Sequence, residues 1–371
     1  KGTNDDNISS ISKGIEIFSM NDQSLNFKPE VFNPIFIQIK ARLCKELFVD
    51  DNLFELLELM TNFIKCSDIP EIDSFVYLAI RRFISLMKSD EKRDIKGIQA
   101  TSNFMRTVFG NYNSEQMESM GKQLVGVVLD QLTANESSSV LEGHLILVLS
   151  SIALIHFKCF DGYIDKLLTF LISKFETSIS NTAKNIAYFF KNLAQHNLFN
   201  KDKSVLLWNL LISRLSKPEC ITPTILILND NIISALISIE KTINLLPIDD
   251  FYSLISPFLP CYTDTYELFD IYLSLLSFYP QMNNENKNNL IIVLISFISY
   301  EQSASFFNAA KDFERTDLLV LLISLIREKL DSIDNRESFI NSTFPNNDQK
   351  VTFINSFNYL IGIVQHQEES Q

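Results

Sequence analysis

The stretch that most restricts what this chain can become runs from 139 to 176, because it reads as one complete pair of helices joined by a turn. Ser139 stands three residues before Glu142, the spacing of a capping box, in which the hydroxyl takes a first-turn N–H and the carboxylate reaches back to the cap. From Leu145 to Phe157 the sequence LILVLSSIALIHF is apolar on nearly every side. That suits a helix covered by neighbours on several faces, and it exceeds the length of an ordinary strand. It is too short to span a bilayer, which takes about 20 apolar residues. Lys158 to Gly162 supplies a turn, after which Ile164, Leu167, Leu168, Leu171, Ile172 and Phe175 recur at helical spacing. The pair fills about 40 residues, the size of one helical-repeat unit.

The rest of the chain repeats this theme. Apolar periodicity predicts helices at 31–48, 53–66, 70–88, 94–109 and 114–133 before the pair. After it come 181–196, 204–216, 223–243, 247–259, 265–279, 286–300, 303–311, 316–332 and 349–365. Thr222 before Pro223 gives a capping hydroxyl followed by a proline in the first turn, and Asp264 with Glu267 gives a second capping box. Prolines 218, 247, 257, 260 and 280 fall near predicted boundaries, where a missing N–H does least harm. The runs 290–298 and 318–326 are apolar nearly all round and predict two central helices. The Asn-rich stretch 283–289 reads as a mobile loop. With 9 Gly and 10 Pro in 371 residues, turn formers are too few for a β sandwich, so the fold class is all-α. The organisation expected is a polar lead over 1–30 with a short helix, a single helical-repeat domain over 31–366, and a polar tail over 367–371.

Successive helices pair into hairpins of roughly 35 to 45 residues, but no residue-level consensus recurs. The fixed Gly, Ala and Pro positions of tetratricopeptide repeats and the ankyrin tetrapeptide are both missing. On helix spacing, over nearly the whole chain, the arrangement resembles the degenerate HEAT and armadillo families. That resemblance implies a right-handed α-solenoid of stacked helical hairpins. It also implies a non-enzymatic scaffold, adaptor or regulatory subunit, part of a larger protein of eukaryotic type, that binds protein partners along one face within a multi-subunit complex.

The formal net charge of −13 gives the chain as a whole no electrostatic footprint for nucleic acid. One local departure stands out: Arg81, Arg82, Lys88, Lys92, Arg93 and Lys96 lie against only Asp90, Glu91 and Asp94, with Lys40, Arg42 and Lys45 on an earlier helix. If alternate helices line one face, these residues form a basic strip for an acidic peptide or a nucleic-acid backbone, and an RNA or DNA platform is the alternative function. The plainer reading is a solvated helix end with local ion pairs. The five cysteines, Cys44, Cys66, Cys159, Cys220 and Cys261, have no paired spacing and sit in or beside apolar runs. They read as free thiols of an intracellular, reducing compartment, cytoplasmic or nuclear. No signal peptide is legible in 1–22, no membrane span is expected, and the missing initial Met suggests a piece of something longer.

Candidate chemistry is sparse. His156, Cys159 and Asp161, with His144 upstream, are the one cluster in which a thiolate and an imidazole would meet. Their flanks are Leu, Ile and Phe, which favours a buried structural thiol and a core histidine. Two or three such ligands without a second paired set fall short of a zinc site, and no glycine-rich phosphate loop occurs, so no metal, cofactor or catalytic residue is assigned. Phe306, Phe307 and Phe313 sit in an otherwise mostly polar segment, and adjacent Phe306 and Phe307 look unable to face one core together. They are candidate partner anchors, as are Tyr188, Phe189 and Phe190; the alternative is that such aromatics fill the seams between repeats.

Overall fold

The computed structural model describes residues 95–111, 115–134, 139–196, 199–215, 222–261, 266–312, 315–333, 336–344 and 346–368, together with Thr61, Ile80 and Phe83. No strand occurs among the described residues, and the chain divides into two compact units, Lys1–Leu198 and Phe199–Gln371. Apart from Thr61, Ile80 and Phe83, the predicted helices before residue 94 lie outside the described residues, as do the short segment at 8–20 and the tail from residue 369; Gln367 and Glu368 of the expected tail end the last helix.

Unit 1 contains α1 (Ile95–Asn111), α2 (Glu115–Thr133), α3 (Ser139–Ile155), a 3-10 turn (Phe157–Phe160), α4 (Ile164–Thr177) and α5 (Ser180–Gln195). The central pair is present as expected, and its two helices run antiparallel: Glu142 in the first turn of α3 accepts a 2.9 Å hydrogen bond from Lys174 in the last turn of α4. The side chain of Ser139, the other half of the expected capping box, lies outside the described set. Gly162 takes φ +86° between the 3-10 turn and α4, a left-handed conformation in which a side chain would be strained.

Packing does not follow chain order. α3 lies between α1 and α5, α2 packs on the 3-10 turn, and α4 backs α5. Alternate helices therefore form one layer, α1–α3–α5, and the intervening elements form a second. This is the alternate-helix stacking of an α-solenoid, and it explains why α3 is apolar on most of its circumference: it has a neighbour on each flank and α2 beneath.

The register of that layer is set by side chains that bond to main chain. Asn185 Nδ2 donates to Gly143 O at 3.3 Å, Asn192 Nδ2 to Ser150 O at 2.8 Å, and His196 Nε2 lies 2.8 Å from Leu154 O. A carbonyl only accepts, so His196 carries its proton on Nε2. Each of the three pairs is separated by 42 residues, so the offset from α3 to α5 is of helical-repeat length.

Unit 2 contains α6 (Lys201–Arg214), α7 (Pro223–Ile243), α8 (Ile248–Ile255), α9 (Tyr266–Leu275), α10 (Asn284–Ile298), α11 (Ser303–Asp312), α12 (Thr316–Asp331), α13 (Arg336–Thr343) and α14 (Asn347–Glu368). α7 packs on α6 and α9, α9 on α10, α11 and α12, and α14 crosses α10, α11 and α12. The start of α7 is as the sequence predicts: Thr222 Oγ1 accepts the Ile225 N–H at 3.3 Å and Pro223 occupies the first turn. Asp264, assigned to a second capping box, lies outside the described residues.

Several boundaries differ from expectation for identifiable reasons. The predicted helices 247–259 and 265–279 end early, at Ile255 and Leu275, and continue as 3-10 turns over Ser256–Cys261 and Leu276–Gln281. Pro257, Pro260 and Pro280 lie in those turns, where each removes an N–H that an α-helix would need. α13 went unpredicted because RESFINST has too few apolar residues for a periodic signal. The runs 290–298 and 318–326 are central, as α10 touches three other helices and α12 four, yet they are not apolar all round in use. Ile292 and Val320 reach the surface, 37% and 36% exposed.

The Asn-rich stretch 283–289 is not a mobile loop. It caps and opens α10: Asn283 accepts the Asn286 N–H at 2.8 Å. Asp249 on α8 in turn accepts the Asn283 N–H at 3.1 Å and Asn286 Nδ2 at 2.7 Å. Asparagine favours both turns and helix caps, and here the cap prevails because a carboxylate from α8 fixes it.

α7 is long and apolar enough to cross a membrane, but about two-thirds of its apolar window is buried inside the protein. Asn229, Asp230, Asn231 and Glu240 are buried along it, which is the character of a core helix. Glu240, 1% exposed, accepts the Leu246 N–H at 2.9 Å and so holds the turn after Asn244, a left-handed residue at φ 55°.

These two carboxylates respond oppositely to pH. Hydrogen bonds from Asn283 and Asn286 hold Asp249 below its usual 3.8, so its contribution is present above that value and lost as pH falls through the lowered one. Burial raises Glu240 above 4.5, so stability is full below 4.5 and declines as pH rises through the raised value. Glu240→Gln keeps an acceptor for Leu246 and should abolish the second slope while leaving the first. Urea unfolding across about pH 3 to 7, followed by the fluorescence of Trp208, reads both.

Candidate functional site

Of the His and Cys residues singled out from the sequence, Cys159 bonds through its thiol to main chain, and His144 stands apart from the other two. His156 follows α3 and is fully buried, its ring edge-on to Phe109 of α1 at 5.6 Å. Cys159, 1% exposed in the 3-10 turn, donates its thiol to Glu118 O of α2 at 3.1 Å. A Cβ added to Gly121 would stand 2.8 Å from the sulfur, so α2 approaches the thiol through a glycine. Asp161 is exposed, and His144 begins the other end of α3, about 18 Å away at 1.5 Å per residue.

Burial, followed by the nearby Glu118 carboxylate, pushes the Cys159 thiol up to about 11. The thiolate fraction at neutral pH is then about a hundredfold below that of a thiol at 9.0. Iodoacetamide should leave Cys159 unlabelled in the folded protein and modify it on unfolding. Native-state labelling at the rate of an exposed thiol, followed by mass spectrometry, would contradict this placement. No group of three or more His, Cys, Asp or Glu side chains suited to a metal ion occurs among the described residues.

The aromatic candidates are interior. Phe306 is 5% exposed and Phe307 fully buried, both on α11. Phe306 stacks on Phe269 of α9 at 5.7 Å and meets Phe297 of α10 at 6.3 Å, while Phe307 meets Phe269 edge-on at 5.9 Å. Adjacent residues on a helix point about 100° apart. Both can be buried because α11 is covered on two sides, by α9 and by α12 with α14. Neither supplies a surface anchor. Phe313 lies outside the described residues. Phe189 and Phe190 are likewise fully buried, packed on Phe160 at 5.5 Å and Phe175 at 5.7 Å, with Tyr188 half-buried beside them.

Of the basic strip, Arg81, Arg82, Lys88, Lys92 and Arg93 lie outside the described residues, as do Lys40, Arg42 and Lys45; Lys96 falls within α1 with its side chain undescribed. The described part of unit 1 instead brings together polar groups that sequence reasoning passed over. Ser102 Oγ, Arg106 Nε and His144 Nδ1 are all buried without a hydrogen-bond partner, on the packed helices α1 and α3. Their signal in the sequence was slight: Ser102 and Arg106 are one helical turn apart, in an otherwise apolar stripe with Met105 and Phe109.

No protein-family model and no curated protein matches this sequence. Among solved structures, an engineered protein is similar over 95% of this chain and 73% of its own, at 13% identity and a TM-score of 0.43. Kap121p bound to RanGTP is similar over 91% of this chain and 36% of its own, at 13% identity and a TM-score of 0.41. The helical-repeat architecture is read from the helices themselves.

Proposed function

We propose that this chain is a non-enzymatic scaffold or adaptor module of a larger intracellular protein, binding protein partners along the outer surface of its stacked helices. The observation that carries this reading is the 42-residue register of α3 and α5, fixed by Asn185, Asn192 and His196 on main-chain carbonyls. Such a register holds the helices of unit 1 side by side, and their outward side chains make a surface suited to a partner segment. The placement of Cys159 supports the same reading, since the best nucleophile in the sequence is sealed inside a seam with its thiol bonded to main chain.

The test is capture from cell extract on the immobilised 371-residue chain, quantified by mass spectrometry with and without nuclease. Near-stoichiometric proteins that persist after nuclease are expected. Bound material that leaves with the nucleic acid, and whose retention falls steeply with salt, would instead favour a nucleic-acid platform using Arg81 to Lys96.

A further inference from the structure

We propose that Ser102, Arg106 and His144 form a receptor for a single carboxylate group on unit 1, of the kind an acidic side chain of a bound protein segment presents. Ser102 and Arg106 lie one turn apart on α1, so both face the same way, and α3 with His144 packs directly against that helix. His144 stands 42 residues after Ser102, the offset that makes neighbours of Asn185 and Gly143 across the next seam. The Arg106 guanidinium is close enough to His144 to act on its ring electrostatically. Three polar atoms thus lie on the two packed helices of one seam, each buried and each without a hydrogen-bond partner among the described residues.

Their chemistry selects the ligand. The Arg106 Nε–H can only donate, and beside it the Ser102 hydroxyl and, in one tautomer, the His144 Nδ1–H can donate too, so a single acceptor group satisfies all three. No carboxylate among the described residues pairs with Arg106, whose Nε has no hydrogen-bond partner there. Burial first, then the charge of Arg106, lowers the His144 pKa and keeps its ring neutral near pH 7. The site then holds one positive charge and three donors, which matches one carboxylate: one negative charge and about four lone-pair positions. A phosphate dianion would leave a second charge uncompensated unless His144 took up a proton.

The inference extends the protein-binding reading, but its test needs no partner. The full chain has four histidines; with their rings isotopically labelled, and the His144 signal assigned by its loss in His144→Gln, acetate is titrated at constant ionic strength against chloride. Saturable movement of the His144 resonances is expected, with a dissociation constant on the order of millimolar, the affinity that four non-hydrogen atoms can reach. Arg106→Gln should weaken it more than about tenfold and Ser102→Ala by about fivefold. If Arg106→Gln does not fold, the titration of the unsubstituted chain and of Ser102→Ala still decides. Resonances that respond to acetate no more than to chloride would overturn the proposal and leave a hydrated seam. Inorganic phosphate binding more tightly than acetate would overturn the assignment to a carboxylate.

Discussion

Replacing Phe269 with alanine is expected to destabilise unit 2 by about 3–5 kcal/mol, the cost of removing a fully buried phenyl group. Phe269 is the hub of the aromatic cluster, within 6 Å of Phe297, Phe306 and Phe307 by ring centroid. Its loss would open a cavity bordered by three helices, α9, α10 and α11, and none of those rings can fill it without leaving its other contacts. For a unit of this size a loss of that order lowers Tm by roughly 10 °C. Trp208 is the chain's one tryptophan, packed on Phe251 at 5.4 Å within the same unit, so its fluorescence during denaturant unfolding measures the effect. Phe269→Leu, which keeps most of the volume, should cost less than about 1.5 kcal/mol. A loss below about 1 kcal/mol for the alanine variant would mean that the cluster is not packed as described.

Asn192→Asp should be as damaging to unit 1, though it alters a single group. Asn192 is 1% exposed and its Nδ2 donates to Ser150 O at 2.8 Å. An ionised carboxylate in its place would set negative charge against a carbonyl oxygen, unpaired and out of water. The expected cost at pH 7 is about 3–5 kcal/mol, as for other buried charges left without a partner. Acid should reverse much of it, since a protonated carboxyl can donate to the same carbonyl; the aspartate pKa is raised in the folded state, so stability falls as pH rises. Hydrogen exchange of peptides from α3 and α5, measured at about pH 5 and 7, should show faster exchange in the variant at the higher pH. Equal protection in variant and parent at pH 7 would sink the idea that this bond sets the seam.

Helix existence was legible because buried apolar residues recur every three or four positions, and Leu167, Leu168, Leu171 and Phe175 take the inward places that their spacing assigns. Helix ends were less so. A proline or an asparagine marks a change of backbone state without saying which: Pro257 and Pro280 tightened a helix into a 3-10 turn, whereas Asn283 opened one. Adjacency was not legible at all, since nothing in the α3 sequence says that α1 and α5 flank it more closely than α4. The seam donors were hidden for a related reason. Asn185, Asn192 and His196 recur at intervals of seven and four, one stripe of a helix, but polar residues in a stripe read as a solvated face until a neighbouring backbone is placed beside them. Phe306 and Phe307 looked like surface anchors because a short helix was imagined with one covered side, and α11 has two.

The bonds that align α3 and α5 have a consequence for how such a chain can change over time. Asn185, Asn192 and His196 recognise main-chain oxygens, and every amino acid offers the same oxygen. Substitutions at Gly143, Ser150 or Leu154 that spare the helix leave those acceptors where they were. Half of the seam is thus indifferent to residue identity, so kinship among such hairpins can erode from the letters long before it is lost from the spacing.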